Sequence, residues 1–280
     1  MRTERLLARP LVPSLFTGLL RRDRIEGPLM FLATAALFIA AWETSSRMGW
    51  LPPYLVPSPS KIAEKFAATF GTMAGHAWLT AAEIAAGFLL ATAGAVVLAA
   101  LIVFFKPVER AVYPWLVILQ VIPKVALGPL LIIWLGFSFF PKVLMAFLLA
   151  FFPIMIDTII GLRSIETNSI YLLRSMGAGR LGIFRYLQLP NALPHLFGSL
   201  KVAITLAVVG ALVGEFIGAN EGLGYVLVSA NGSLDTELLF VSLVWISAQA
   251  MVFYGLVVAA EKVCVSWHVS HRGTLGRPGH

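Results

Sequence analysis

Six ionisable residues stand inside or beside long apolar runs of this chain: Glu43, Glu83, Lys124, Asp157, Lys201 and Glu215. A charge at such depth is expensive, so each is expected to face a helix-bundle interior or water. Lys124 follows Pro123 midway along an interrupted run. A cation there can attract an anionic solute, because broken helices border transport paths. Gln120, Gly128 and Trp134 would then belong to the wall of that path. The competing arrangement is a salt bridge from Lys124 to Glu83 or Glu43. Asp157 and Lys201 both fall toward the same side of the membrane and are candidates for an intramembrane ion pair, the alternative being that Lys201 snorkels to headgroups. Glu215, beside Gly214 and Gly218, either shapes an outer gate or faces the external medium.

Other chemistries fail on spacing. Gly177-Ala178-Gly179-Arg180-Leu181-Gly182 matches GxGxxG in letters, but that motif needs a strand before it and a helix after it. No GxxxxGK[ST] occurs, so any ATP hydrolysis would have to be supplied by a partner. The histidines His76, His195, His268, His271 and His280 form no His-Glu-x-x-His pair, and His268 with His271 lack neighbouring carboxylate or thiolate ligands beyond Cys264, which argues against a metal. An intramembrane hydrolase would want a serine beside a base or two aspartates. Ser199, Ser242 and Ser247 have no histidine at their depth, and Asp157 has no second aspartate. The chain reads as no enzyme.

The elements that hold these residues are membrane helices. The sequence is 59% hydrophobic and 12% charged, with a mean hydropathy of +0.86. A soluble domain carries about 25% charged residues. The apolar runs are continuous and approach the ~20 residues needed to cross a bilayer, which excludes a β-barrel built from alternating strands. The pattern predicts an all-α polytopic membrane protein of six spans: 28–48, 77–104, 111–135, 141–162, 196–218 and 238–263. A separate interfacial helix is expected over 60–72. Pro114, Pro123, Gly128 and Pro129 predict that the third span is kinked or in two pieces.

The net charge of +7 is placed for topology, not for nucleic acid. With both termini cytoplasmic, fifteen Lys and Arg fall inside against three outside, namely Lys61, Lys65 and Lys142. The expected division is a cytoplasmic basic tail (1–27), a transmembrane domain (28–263) with a cytoplasmic loop at 163–195, and a cytoplasmic C-terminal tail (264–280).

That loop carries Arg163, Arg174, Arg180 and Arg185. Asn168 or Ser169 is expected to cap a helix running to Met176, with Leu172, Leu173 and Met176 on its apolar face and Gly177 ending it. A second helix over 180–188 presents Leu181, Phe184 and Leu187, and Pro190 is expected to end it. Two short amphipathic helices pinned between spans can transmit a rigid displacement to a docked protein.

Tyr171-Leu172-Leu173-Arg174-Ser175-Met176-Gly177-Ala178, followed by Leu187-Gln188-Leu189-Pro190, resembles the cytoplasmic signature loop of importer-type ABC transporter permeases. That signature reads Glu-Ala-Ala, three further residues, Gly, nine residues, Ile, any residue, Leu-Pro. Gly177, Leu189 and Pro190 fall in register, Leu187 replaces Ile, and Tyr171, Leu172 and Leu173 replace the Glu-Ala-Ala head. From Trp42 to Trp267 the chain is similar to the nitrate/sulfonate/taurine branch, through Leu55-Val56-Pro57-Ser58-Pro59, Ile122–Leu130, Trp134–Phe137, Phe151-Phe152-Pro153 and Gly222-Leu223-Gly224-Tyr225. The resemblance implies a six-span permease fold with cytoplasmic coupling helices in a bacterial inner membrane. It implies a homodimer surrounded by membrane lipid, two cytoplasmic ATP-binding subunits that hold ATP and Mg, and an extracytoplasmic solute-binding protein. This chain would bind no cofactor. ATPase docking would fall to Tyr171, Leu172, Leu173, Arg174, Met176, Gly177, Ala178 and Arg180, supported by Phe184, Arg185, Leu189 and Pro190. The solute implied is small and anionic, such as a sulfonate, taurine or nitrate. The alternatives are a nitrogen heterocycle or vitamin precursor carried by the same architecture, or a self-contained secondary carrier.

Overall fold

The computed structural model describes residues 16–50, 52 and 54–265. Every regular element among the described residues is helical. In order these are α1 (Phe16–Arg47), α2 (Pro59–Phe104), α3 (Lys106–Val121), a 3-10 turn (Lys124–Leu127), α4 (Gly128–Leu135), α5 (Phe139–Arg163), α6 (Thr167–Ser175), α7 (Arg180–Ile183), a π-helical turn (Phe184–Gln188), α8 (Leu189–Gly218), α9 (Leu223–Gly232) and α10 (Thr236–Cys264). Among the described residues five helices are long and apolar enough to cross a membrane; α3 and the run Lys124–Leu135, bent by 87°, count as a sixth when taken together as one broken span. The break falls where Pro123 removes a backbone donor and Gly128-Pro129 restarts the helix. The expected tails 1–27 and 264–280 lie largely outside the described residues.

The chain divides into two units, Met1–Ala63 and Glu64–His280. In the first, the Glu43 carboxylate near the end of α1 accepts from the Ser60 amide (3.0 Å) and hydroxyl (2.7 Å) and pairs with Arg47 (2.5 Å). A carboxylate at the first turn of α2 complements the positive end of that helix. The partners that Glu43 finds, Ser60 and Arg47, thus lie within its own unit.

The second unit is built on α5 and α8, whose facing residues include Ala146, Ala150, Ile154, Ala203, Ile204 and Ala207, all buried. Small residues set the separation. At Gly210 a Cβ would come within 2.6 Å of the Met145 carbonyl and 2.7 Å of Ala146 Cα, so the two backbones meet where only glycine fits. α2 adds Ala91, Ala95 and Ala99, one turn apart and fully buried.

Four expectations change. Residues 60–72 and 77–104 form one helix, α2, of 46 residues. Met73-Ala74-Gly75-His76 contains no proline, and an interior glycine costs only about 1 kcal/mol. At ~1.5 Å per residue α2 is more than twice as long as a ~30 Å hydrocarbon core, so it projects beyond the bilayer. Asn168 and Ser169 do not cap α6, which starts at Thr167 with Glu166 at the cap position and no side-chain bond. Pro190 does not end a helix. It lies in the first turn of α8, and helix runs unbroken from Arg180 to Gly218 through the wide π-helical turn. Finally, α9 is a short helix between the last two spans that the apolar pattern did not predict.

Candidate functional site

The loop helix α6 ends in a Schellman motif. The Ala178 amide donates to Leu173 O (2.9 Å), the Gly177 amide to Arg174 O (3.0 Å), and Gly177 has φ +85°, which a side chain tolerates poorly. The turn fixes which residues point outward. Leu172 and Met176, one helical turn apart, are 62% and 74% exposed, joined by exposed Tyr171 and Leu181. Leu173 is half-buried, so it does not share their outer face. Phe184 packs edge-on against Phe104 of α2 at 5.7 Å, and Ile183 is buried. The loop's base is tied down by Asn191 Nδ2, which donates to Gly161 O (3.1 Å) and Ser164 Oγ (2.9 Å), and by the Arg163–Glu109 pair at 2.8 Å. A pinned loop with an apolar tip has the form of a protein-docking element. Arg185 is exposed beside the tip, and Leu189 and Pro190 join it to α8.

At the break in the third span, Lys124 Nζ donates to Gln120 O (2.9 Å) and lies 4.6 Å from the centre of the Phe152 ring, within cation–π range. Gln120, Lys124, Phe152, Pro153, Asp157 and Leu206 line a cavity of about 510 Å³. The Lys124–Glu83 bridge does not form, because Glu83 pairs with Lys142 at 3.1 Å. Gly128 does not face this cavity; a Cβ there would collide with Ile217 of α8. Nor do Asp157 and Lys201 pair. Lys201 pairs with Glu261 of α10 at 2.6 Å. Its neighbours Leu200, Ala203 and Ile204 occupy the α5 side of α8, and the ~100° turn per residue carries Lys201 away from it. Asp157 is left on the cavity with Lys124.

The third cluster lies toward the other end of the spans. Glu215 is 1% exposed, which overturns the reading that it faces the external medium. Its Oε1 accepts from Thr80 Oγ1 (2.6 Å) and its Oε2 from the Gly224 amide (2.5 Å). Thr80 Oγ1 accepts from the Leu223 amide (2.8 Å), and His76 Nδ1 from the Gly222 amide (3.1 Å). Three successive amides at the start of α9, orphaned by helix geometry, are thus met by three side chains of α2 and α8. The buried Glu83–Lys142 pair adjoins Glu215; it is an ion pair without hydrogen-bond alignment, since neither Glu83 oxygen has a hydrogen-bond partner. Lys142 is therefore no external loop charge.

A sequence pattern describing binding-protein-dependent transport system inner membrane components matches residues 84–267, from mid-α2 past α10 and including the whole loop. The chain belongs to this family. It is 35% identical to a riboflavin transport system permease protein of Chloroflexus aurantiacus, over 89% of this chain and 94% of the relative. It is also 35% identical to a formylaminopyrimidine transport permease protein of Halalkalibacterium halodurans, over 87% and 96%. A putative aliphatic sulfonates transport permease protein of Bacillus subtilis is 27% identical over 86% and 88%.

The chain is the multi-pass inner-membrane permease subunit of an ABC importer for a small solute, and ATP hydrolysis belongs to a separate subunit. The self-contained carrier is thereby set aside. Among the described residues, no three of His, Cys, Asp and Glu are placed to hold a metal. The permease's polar clusters also include residues that the sequence reading missed: His76, Thr80, Lys142 and Glu261. A signal existed for two of them. His76, Thr80 and Glu83 recur at helical spacing on one face of an otherwise apolar run.

Proposed function

We propose that this permease serves an importer for a nitrogen heterocycle, with the Lys124 cavity on its path. The observation that carries this reading is that Lys124, Asp157 and Phe152 line one cavity, with Lys124 over the Phe152 ring. A sulfonate or nitrate site wants cations and donors, and a carboxylate there repels the anion. A planar heterocycle uses all three groups, stacking on the ring while its donors and acceptors meet Asp157, Lys124 and Gln120. The higher identity to the riboflavin and formylaminopyrimidine permeases than to the sulfonate permease points the same way.

In this reading two copies form the membrane path and two ATPase subunits dock on the loop tips at Tyr171, Leu172, Met176 and Leu181. Gly177 and Ala178 set the angle of each tip. A binding protein delivers solute to the opposite side, near α9. The loop and both chain ends are cytoplasmic, as the excess of basic residues there supports.

The test is ATP-dependent uptake by the complete complex in proteoliposomes, offered riboflavin, a formylated aminopyrimidine or taurine. Uptake of a heterocycle, reduced at least tenfold by Asp157→Ala and by Lys124→Ala with ATPase recovery unchanged, supports the proposal. Uptake of taurine alone defeats it.

A further inference from the structure

Where α2 ends and α3 begins, a cavity of about 430 Å³ opens between that corner and the loop helices α6 and α7. Lys106, Arg174 and Arg180 line it, together with Phe104, Phe105 and Ile170, and no carboxylate does. None of these three cations has an ion-pair partner among the described residues, whereas Arg163 and Lys201 are paired with Glu109 and Glu261. Three like charges around one cavity repel each other unless an anion joins them. The apolar walls add a second requirement. Phe104 is the last residue of a membrane-spanning helix and Phe105, 49% exposed, follows it, so the cavity sits where hydrocarbon gives way to water.

An occupant must therefore carry an anionic, multiply accepting head and an apolar body. We propose that this cavity binds the phosphate of an anionic membrane phospholipid, its acyl chains lying along Phe104 and Phe105. Two guanidinium groups suit a phosphate because each presents parallel donors to two oxygens, and Lys106 adds a point charge. Basic pockets between helices on the cytoplasmic side are suited to such headgroups. The site lies on the inner side of the loop. Arg174 follows Ile170 by one turn, whereas the docking tip is carried by Leu172 and Met176. A bound lipid would thus brace the loop against α2 from behind and leave the tip free for the ATPase.

The test is native mass spectrometry and thermal melting of the purified full-length permease in detergent, titrated with phosphatidylglycerol, phosphatidylcholine of the same chains, or inorganic phosphate. The expected result is retained phosphatidylglycerol with a raised melting temperature, and at least tenfold weaker retention in Lys106→Gln/Arg174→Gln/Arg180→Gln. Arg110→Gln, an exposed neighbouring cation outside the cavity, should bind as the unaltered protein does. Lys106→Gln alone, outside the loop helices, is expected to weaken retention about threefold and serves if the triple variant fails to insert. Equal retention of the two lipids, or unchanged retention in the variants, overturns the proposal. If inorganic phosphate reproduces the full shift, the ligand is a soluble phosphate and the lipid assignment falls. If added ATPase subunit displaces phosphatidylglycerol competitively, the cavity belongs to the protein interface instead.

Discussion

The two ends of this permease treat their polar groups in opposite ways. Around Glu215 most polar groups are matched inside the fold: the buried carboxylate, buried Thr80 and half-buried His76 each meet an amide or hydroxyl from another segment, and neighbouring Glu83 has Lys142 as its ion-pair partner. Around the loop, Arg174, Arg180 and Arg185 form no ion pair among the described residues, and Leu172 and Met176 stand exposed. A buried polar group left unpaired is costly, so the first region has to satisfy itself for the chain to fold. The second region leaves its binding capacity for partners. Substitutions should therefore split into those that lower stability and those that spare stability and lose assembly.

The largest effect is expected at Glu215. Glu215→Ala would strand the Gly224 amide, leave the Thr80 hydroxyl only the His76 carbonyl to donate to, and leave Lys142 with one fewer carboxylate nearby, at a cost of about 3 kcal/mol. Detergent melting should drop, and hydrogen exchange should show lost protection in 222–232 before any other segment. Glu215→Gln keeps an acceptor for one donor and should lie between. Unchanged exchange across α9 in Glu215→Ala would mean that α9 is held by something other than this latch.

The contrasting substitution is Leu172→Asp with Met176→Asp. Both side chains are exposed, so melting of the permease alone should shift little, within about 0.5 kcal/mol for each surface change. Burying two carboxylates in a water-excluding interface costs several kcal/mol in total, roughly 2 or more for each. Recovery of the ATPase subunit in a pull-down should fall below detection while the permease still inserts. Leu173→Asp reverses the pattern: that side chain is half-buried and off the outer face, so stability should suffer more than docking.

What the sequence revealed and what it hid follow the same division. Features carried by local backbone chemistry were legible: the broken third span at Pro123 and Gly128, and the glycine turn at Gly177. Features that depend on which way a helix is rotated were not. Asp157 and Lys201 sit at comparable depths, but depth says nothing about azimuth, and Glu261 of α10 claims the lysine. Lys142 begins a span and so looked like a loop charge, yet α5 turns it inward to Glu83, 59 positions away in sequence. The stretch 60–72 read as a separate interfacial helix. It is instead the projecting first part of α2, where Lys65 finds a partner in Asp235 that only the fold brings near.

That pair offers the smallest test of the contrast, since it lies outside the buried latch yet on the same side. Lys65 and Asp235 are 2.7 Å apart and each is about 30% exposed. Partial burial pushes the Asp235 carboxyl up, but the hydrogen bonds from Lys65 and the Leu238 amide outweigh it, so the group titrates below its ordinary range. A depressed folded-state pKa contributes stability above the unfolded value, and that contribution is lost as pH falls through the folded value. The window therefore lies below about pH 4. Solvent screening limits the pair to about 0.5 kcal/mol. Asp235→Asn keeps the capping bond to Leu238, because asparagine caps a helix as well as aspartate does, and removes only the charge. The difference in melting temperature between this variant and the unaltered permease should be small at pH 7 and shrink as pH falls below about 4. A difference that does not narrow as pH falls would mean that the carboxylate charge beside Lys65 is not what stabilises this corner, and the ion pair would drop out of the self-satisfied region of the fold.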